Sequence, residues 1–291
     1  MSGFLLHLPL YGADLVIDHV TVAGTDLKQM RARLGAIGIA SEYGGPHNNH
    51  ATEMALTSFR DGSYLELIAL QPNADQTAVA AHYWSPEMKG NAGPTAWAVR
   101  TTKITAEVER LRAAGVTVSS PGRSGRARPD GVKLEWEAAP VGSEPNGTFF
   151  PFLIQDITPR EARSAPSGKP ITQNFNGISR VVIAVRDLPT SVARYQRAYG
   201  LAAPSEQEDA AFGARLAAFP GIPVILAAPL NPQSWVAKRI QQFGEGPCAF
   251  LLGKRGNRTL THLARGGTRW FGHDVQWFDL GALGWRLGIE K

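Results

Sequence analysis

Two polar residues stand inside strand-like apolar segments of the first quarter of the chain, where their types could support chemistry. His19 lies in the segment 17–23, and strand alternation places it opposite Val20, away from the most apolar side. Glu66 lies in the segment 64–69, where an unpaired carboxylate would be costly to bury. Without a cationic partner its pKa should rise, which suits a general base, and the alternative is an ion pair with an arginine across the sheet. For His19 the alternative to a functional role is a hydrogen-bonded structural histidine.

Two loops add candidates for ligand binding. His47 begins a polar run at 47–50 that could fold over the mouth of a cavity, and a solvated loop is the alternative. Arg123, Arg126 and Arg128 are predicted to lie in a second loop before a strand, where a guanidinium could bind a carboxylate or phosphate of a ligand. Of these three arginines, we expect Arg128 to be the one that contacts a ligand.

The elements that must position these residues are indicated by an internal repeat. Residues 17–23 align without a gap on residues 178–184, and residues 93–99 align on residues 246–252. Each copy is followed by a helical pattern and then by short strand candidates, including a pair joined by an Asp-Gly hairpin signal. The chain is therefore predicted to run strand, helix and further strands four times.

A segment rich in Ser, Pro and Gly, at 164–170, separates the two pairs of units and predicts a domain boundary. In the fourth unit the predicted helix rests on Leu260 and Leu263. The predicted limits are 15–160 for the first domain, 161–174 for the linker and 175–291 for the second domain.

Composition excludes several classes of protein. The single cysteine, Cys248, rules out an internal disulfide and suits a reducing compartment, and its apolar neighbours indicate a core thiol. Residues 161–291 hold 16 Lys and Arg against 9 Asp and Glu, but these charges are scattered, so we expect no nucleic-acid partner. The apolar segment 4–10 lacks a basic flank and contains His7 and Pro9, so we expect neither a signal peptide nor a membrane span, and a cytoplasmic protein. The absence of glycine-rich phosphate loops predicts no nucleotide cofactor.

The first half of the chain resembles the glyoxalase-like domain of the vicinal oxygen chelate superfamily. The residues that carry the resemblance are 18–20, His47 with 51–52, 61–69, 97–100, 128–132 and 151–154. The resemblance extends over residues 15–160, whereas 175–291 follow only the fold pattern. It implies an α+β fold in which four βαβββ modules pair into two glyoxalase-like half-barrel cups.

The resemblance also implies a divalent metal held by side chains from the first and last strands of a module. It assigns His19 and Glu66 as ligands, with Glu66 as the alternative base. Imidazole and carboxylate groups suit Zn, Fe, Mn or Ni, and open coordination positions let a substrate bind through adjacent oxygens. Trp97 and Phe152 stand at the matching positions of the second module, where they cannot ligate a metal and are expected to form core or the wall of the substrate pocket.

Two functions from different classes remain open. The first is a metal-assisted enzyme acting in the first cup on a small oxygenated metabolite, by lyase, isomerase or dioxygenase chemistry. The second is a metal-free protein that binds a small molecule without catalysis, as resistance members of the superfamily do. In either case the predicted partner is a small-molecule ligand, and a homodimer is left open.

The second cup is predicted to hold no catalytic metal. Arg180 stands at the position of His19, and Ile225 falls near the position of Glu66. A guanidinium cation repels a divalent ion, and an isoleucine side chain offers no lone pair. Glu290, a late carboxylate near a strand end, is predicted to be solvated. The third and fourth modules are therefore expected to buttress the first cup or to supply an interface.

Overall fold

Helices and strands follow one another in the order that repeated βαβββ units require, in a computed structural model that describes residues 15–172, 174–254, 264–278 and 285–291. The first half contains, in chain order, β1 (Val16–Ala23), α1 (Leu27–Ala36), β2 (Glu42–Pro46), β3 (Thr52–Ser58), β4 (Tyr64–Leu70), α2 (Gln76–Ala81), α3 (Ser85–Lys89), β5 (Gly93–Arg100), α4 (Ile104–Ala113), β6 (Gly122–Ala127), β7 (Lys133–Ala139), β8 (Phe152–Asp156) and α5 (Arg160–Ser164). The second half contains β9 (Phe175–Ala184), α6 (Leu188–Tyr199), β10 (Ser205–Asp209), β11 (Ala214–Ala218), β12 (Val224–Pro229), α7 (Trp235–Phe243), β13 (Gly246–Lys254), β14 (Ala264–Trp270), β15 (His273–Phe278) and β16 (Arg286–Glu290).

The strands form two eight-stranded mixed sheets with the same topology. Their orders are β2-β3-β4-β1-β5-β8-β7-β6 and β10-β11-β12-β9-β13-β16-β15-β14. In both sheets the first strand of a module pairs in parallel with its own last strand and antiparallel with the first strand of the next module. This arrangement confirms the predicted α+β fold of four modules paired into two cups. The first cup denotes β1 to β8 below, and the second cup denotes β9 to β16.

The internal repeat has a physical basis in how the first helix of each cup begins and ends. The side chain of Asp26 accepts a hydrogen bond from the backbone N–H of Gln29, and Asp187 does the same for Thr190, so both are N-caps. After α6, Gly200 has a φ of 64°, a left-handed conformation that glycine adopts without a Cβ penalty. The repeated Asp-Leu pair is therefore a helix-start signal, and it fixes where each strand must end.

In the first half of the chain, strands β2 and β6 go beyond the sequence prediction. The helices α2, α3, α5 and α7 were not predicted either. Strand β6 occupies the segment predicted as an arginine-bearing loop, and β2 forms the opposite edge of the first sheet. Both strands are short and rich in glycine and polar residues, and β6 is largely exposed, so neither has the apolar alternation that indicates a strand. Other predictions fall outside the described residues, namely the helix resting on Leu260 and Leu263 and the segment 4–10.

The main hydrophobic core lies between the two sheets and is shared by both cups. It includes Val20 and Trp97 from the first sheet, Val181 and Phe250 from the second, and Tyr195 from α6, all fully buried. Because the outer faces of both sheets and the helices contribute to one cluster, each cup supports the other. The opposite, concave face of each sheet is left to form the interior of its cup.

Aromatic rings fill part of the interior of the second cup. Phe212, Trp270 and Trp277 pack together with centroid distances of 4.9 to 5.2 Å, and Trp235 packs edge-on against Phe212. Cys248 belongs to the same cluster and is fully buried, which agrees with its prediction as a core thiol. Burial raises the pKa of this thiol to about 12, so it stays protonated at neutral pH.

Asp209 anchors this aromatic interior, and Asp209→Asn is expected to lower the free energy of unfolding by about 1.5–3 kcal/mol at pH 7. The carboxylate accepts hydrogen bonds from Thr268 Oγ1, from Trp270 Nε1 at 2.7 Å and from the backbone N–H of Phe212 at 2.8 Å. Burial would raise the pKa of Asp209, but these hydrogen bonds hold it below its usual range. Its contribution is therefore present above the unfolded pKa near 4 and is lost as the pH falls through the lower folded value.

Urea unfolding of the wild type and Asp209→Asn at pH 7 and pH 3 measures this contribution. The difference between the two proteins should shrink on acidification. Asp274→Asn, at an exposed carboxylate in the same sheet, serves as the control and should change stability at neither pH. An equal difference at both pH values would contradict the assignment.

The predicted domain limits stay a prediction, but the predicted linker contains ordered structure. Helix α5 lies within 161–174 apart from its first residue, and the side chain of Arg163 in this helix is buried. None of the helices in the described ranges is long and apolar enough to span a lipid bilayer.

Candidate functional site

A β-bulge in the first strand brings the carboxylate of Asp18 into contact with the imidazole of the next residue, His19. The antiparallel register with β5 shifts between Ile17 and His19, which leaves Asp18 as the extra residue. Asp18 Oδ1 then lies 2.7 Å from His19 Nδ1. Since the carboxylate can only accept, Nδ1 of the ring donates, and the second nitrogen, Nε2, is left available on the concave face of the first cup.

Glu66 joins two histidines inside the first cup. His19 Nε2 lies 3.7 Å from Glu66 Oε2, and His47 Nε2 lies 3.5 Å from Glu66 Oε1. Thr21 Oγ1 donates a hydrogen bond of 3.0 Å to Glu66 Oε2, and Thr52 Oγ1 lies 2.7 Å from His47 Nδ1. Each imidazole thus has an outer partner on Nδ1 and directs Nε2 toward one shared carboxylate.

The charge state of Glu66 corrects the expectation from the sequence. Burial alone would raise the pKa of Glu66, but the hydrogen bond with His47 and the neighbouring His19 and Thr21 lower it to about 2. The carboxylate is therefore ionised at neutral pH, which does not suit a general base of raised pKa. Its partners are histidines rather than the arginine that the alternative interpretation required.

Behind His19, Asp18 is held by two arginines from α5. Asp18 is fully buried, and its Oδ2 lies 2.7 Å from Arg163 Nη2 and 2.5 Å from Arg160 Nη1. Arg163 also donates to Asp156 Oδ1 at 2.5 Å and to Tyr64 Oη at 2.7 Å. Burial would raise the pKa of Asp18, but Arg163, His19 and Arg160 hold it well below its usual range. Asp18 is thus a charged positioning group that orients His19.

A cavity of about 500 Å³ opens in front of these residues. Its polar wall contains His19, His47 and Glu66, and its apolar wall contains aromatic rings, namely Tyr64, Trp84, Trp136 and Phe152. The His19 ring stacks on Tyr64 at 4.7 Å and meets the edge of Phe152 at 5.4 Å. A metal-type donor set beside flat apolar walls suits a small organic ligand with a polar end.

His82 is a further cavity residue that the sequence interpretation missed. It follows the short helix α2, and its Nδ1 accepts a hydrogen bond of 3.2 Å from the backbone N–H of Trp84. Burial and the nearby His47 lower the pKa of His82. The neutral ring therefore carries its proton on Nε2, which makes it a hydrogen-bond donor within the cavity wall.

The second module contributes no ligand to this site. Glu66 pairs with the residue two positions after His19, and Ile154 pairs with the residue two positions after Ala98. His19 and Ala98 also face each other across the sheet. The positions equivalent to His19 and Glu66 are therefore Ala98 and Ile154, not Trp97 and Phe152 as predicted.

Two of the predicted substrate-binding residues lie away from the cavity. Trp97 is fully buried in the core shared by the two cups, on the opposite face of the sheet from Ala98. Arg128 lies beyond the end of β6 and pairs with Asp130 at 2.5 Å. Phe152 and His47 do line the cavity, and Arg126 lines it in place of Arg128.

The second cup has an ion pair where the first has its histidine and glutamate cluster. Ile225 pairs with the residue two positions after Arg180, and Glu290 pairs with the residue two positions after Leu251. Arg180 Nε lies 3.3 Å from Glu290 Oε1 beside a cavity of about 270 Å³. Glu290 is therefore the counterpart of Glu66 in the fourth module, and it is mostly buried rather than solvated as predicted.

Comparisons with known proteins agree with this architecture. A crystal structure of a hypothetical protein from Staphylococcus aureus superposes with a TM-score of 0.65 at 15% identity, covering 95% of this chain and 99% of that chain. A mutant of 4-hydroxymandelate synthase from Streptomyces coelicolor superposes with a TM-score of 0.63 at 13% identity, covering 95% and 92%. These identities show a shared fold alone. No protein with a curated description matches the chain by sequence.

Residues 17–199 match the sequence model of a family described as glyoxalase-like domain. This match spans more than half of the chain, so the protein belongs to the glyoxalase-like domain family of the vicinal oxygen chelate superfamily. The match continues through α5 into α6 and so includes the arginines that hold Asp18.

Proposed function

We propose that the first cup binds a small oxygenated metabolite at a divalent metal held by His19, His47 and Glu66, and that the protein is a metal-assisted enzyme of the lyase, isomerase or dioxygenase type. One observation carries the proposal: a mostly buried, ionised carboxylate lies within 3.5 to 3.7 Å of the Nε2 atoms of two imidazoles whose Nδ1 atoms are already engaged. Two histidines and one carboxylate with open positions form a donor set that suits Fe and related divalent metals. The cytoplasmic location and the small-molecule partner expected from the sequence belong to the same proposal.

The outer partners of the donor residues fit such a centre. Ligating histidines commonly donate their second ring nitrogen to a carboxylate or another oxygen, which fixes the tautomer and raises the basicity of the ligand. Asp18 does this for His19, and Thr52 engages His47 in the equivalent way. Thr21 donates to Glu66 and so limits rotation of the carboxylate.

The donors must close slightly to hold an ion. Two ligands at about 2.1 Å from one metal are roughly 3.0–3.4 Å apart, whereas the two histidine–glutamate separations are 3.7 and 3.5 Å. Within the residues that the structure describes, no group of three or more His, Cys, Asp or Glu side chains is spaced so that it could hold a metal ion as it stands. The required adjustment is a few tenths of an ångström per side chain, which small rotations of Glu66 and of His47, just after β2, would supply.

The chemistry that a divalent ion supplies at this position, when bound, is Lewis-acid polarisation of a substrate oxygen. The residues of the chain supply the rest. The aromatic walls around the donors exclude water from the bound ligand, and the neutral His82 presents a proton donor on the same cavity. Asp18 keeps His19 in the tautomer that leaves Nε2 free to ligate.

The alternative is a metal-free binding protein, and a specific observation favours it. The second module places Ala98 and Ile154 where ligands would complete a four-residue site, so the first cup has three donors at most from these strands and the His47 loop. A cavity with an ionised glutamate between two histidines would then recognise a polar ligand by hydrogen bonds alone.

Metal titration of paired variants distinguishes the two functions. Wild-type protein purified without chelator should contain about one equivalent of metal per chain, and calorimetric titration with Zn, Mn, Fe and Ni should give one site. Glu66→Gln removes the anionic ligand and should weaken binding by roughly 100-fold, since loss of an outer partner alone weakens binding by about 10- to 100-fold.

Glu290→Gln is the matched control, because it makes the same change at the corresponding position of the fourth module, in the second cup. It should leave the metal stoichiometry and affinity unchanged. Wild-type protein that binds none of the four metals would favour the metal-free alternative. Loss of metal in Glu290→Gln would show that the metal site lies in the second cup and not in the first.

A further inference from the structure

The first cup contains a buried arginine that the proposed metal site does not use. Arg126 lines the cavity, and only 6% of its surface is exposed to solvent. Its guanidinium donates to two backbone carbonyls, from Nη1 to Gly44 at 3.3 Å and from Nη2 to Arg163 at 3.2 Å. Among the described residues, no carboxylate lies within 4 Å of it, so its charge has no direct counterion there.

Arg126 is buried although the strand that carries it is otherwise exposed. Arg126 is the one buried residue of β6, whose other five residues are exposed at the edge of the first sheet. Gly125 permits this placement, because a Cβ there would lie 2.6 Å from the carbonyl oxygen of Leu134 on the neighbouring strand. Burying the single guanidinium of an edge strand costs the free energy of removing its charge from water, unless an anion compensates for that charge.

The second arginine of the cavity differs from Arg126 in this respect. Arg163 contacts both Asp18 and Asp156, and it donates to Tyr64 Oη, so its charge is neutralised inside the protein. Arg126 uses two of its five N–H donors on neutral carbonyl groups. The remaining donors are those that a planar, bidentate acceptor such as a carboxylate matches.

We infer that the ligand of the first cup carries a carboxylate, which binds Arg126 while the rest of the molecule lies against the aromatic wall. Arg126 is thus a specificity-determining residue of the cavity, and the ligand class is a small organic acid with an apolar or aryl body. The inference rests on the proposed function for the identity of the cavity, but not on the presence of a metal.

The charge of the cavity favours a carboxylate over a phosphate monoester. Arg126 offers one positive charge that has no carboxylate in ion-pair contact among the described residues, and Glu66, the one carboxylate among the described residues that line the cavity, already supplies a negative charge there. A dianionic phosphate would need a second free cation, whereas a carboxylate balances a single guanidinium. The flat rings of Trp84, Trp136 and Phe152 complement a planar acid.

Binding of matched acids and amides to the full chain tests this inference. The probes are benzoate and phenylacetate, the isosteric benzamide and phenylacetamide, and phenyl phosphate, each titrated by NMR with and without EDTA. The wild type should bind the acids at least about tenfold more tightly than the amides, as expected for a charge-assisted hydrogen bond, and more tightly than phenyl phosphate. EDTA should leave this preference intact, which separates the result from the metal proposal.

Three variants locate the anion. Arg126→Met should reduce the preference for acids to less than about twofold, and Arg126→Lys should retain part of it, because lysine keeps the charge but not the bidentate geometry. Arg123→Met, on the exposed part of the same strand, should behave as the wild type. Thermal unfolding of each variant establishes that it is folded. If Arg126→Met does not fold, the comparison of Arg126→Lys with Arg123→Met still decides the test.

Several outcomes would overturn the inference. These are equal affinity of the wild type for acids and amides, no binding of either series, tighter binding of phenyl phosphate, and a preference that persists in Arg126→Met. A preference that disappears with EDTA and is unchanged by the Arg126 variants would place the carboxylate on the metal instead.

Discussion

Replacing Asp18 with asparagine is expected to lower the free energy of unfolding by about 3–5 kcal/mol, because it leaves buried arginine charge without its partner. Asp18 is fully buried and contacts Arg163 at 2.7 Å and Arg160 at 2.5 Å. Asparagine has nearly the same shape but no charge, so the loss measures the electrostatic contribution rather than a cavity. Urea unfolding monitored by circular dichroism at neutral pH gives the value.

Asp130→Asn provides a matched control for the effect of burial. Asp130 and Arg128 also lie 2.5 Å apart, but Asp130 is half exposed in a surface turn. Solvent screens such a pair, so the unfolding midpoint of Asp130→Asn should stay close to that of the wild type. If both variants lost the same stability, the buried network around Asp18 would not be the cause.

Replacing Arg239 with methionine is the second change with a large expected effect, a loss of about 2–4 kcal/mol. Arg239 is buried in α7 and donates to Ala92 O and Pro94 O in the first half of the chain and to Pro247 O in the second. Burial lowers the pKa of Arg239 to about 10, so it remains a cation at neutral pH. Methionine fills a similar volume but donates no hydrogen bonds. A buried carbonyl group that stays unpaired costs about 1–3 kcal/mol.

Lys238→Met on the same helix is the control, since Lys238 is exposed and its loss should not change stability. Arg239→Lys should fall between the wild type and Arg239→Met, because lysine retains the charge but cannot reach all three carbonyls. Equal stability of Arg239→Met and Lys238→Met would contradict a role for Arg239 in joining the two halves. Unfolding curves followed by tryptophan fluorescence and by circular dichroism would also report whether the halves still unfold together.

The fold was accessible from the sequence because its strongest signals are local and repeated. Each cup begins with an apolar strand, an aspartate N-cap and an amphipathic helix, and these follow one another within 25 residues or fewer. The edge strands β2 and β6 could not be found in this way. Their residues are mostly glycine or polar, and backbone pairing rather than an apolar side-chain pattern places them in the sheet.

The candidate site was only partly accessible, because two bulges and one distant helix determine it. The register of β1 against β5 shifts twice, and a shift of one residue exchanges the two faces of a strand. For this reason Trp97 was matched to His19, although Ala98 faces it. Arg160 and Arg163 lie 142 and 145 residues from Asp18, and no pattern in the sequence relates residues so far apart.

The network between Asp18 and α5 determines where this polypeptide can be divided. A fragment that ends at residue 160 would retain Asp18 but lose Arg163, and with it the neutralisation of a fully buried carboxylate. Helix α6 is bound to the first half as well, through Arg194 with Glu144 at 2.5 Å and through Tyr195 Oη with Phe149 O at 2.5 Å. Chimeric proteins that exchange cups between relatives should therefore be joined after α5, with the partners of Arg194 and Tyr195 in the first half kept unchanged.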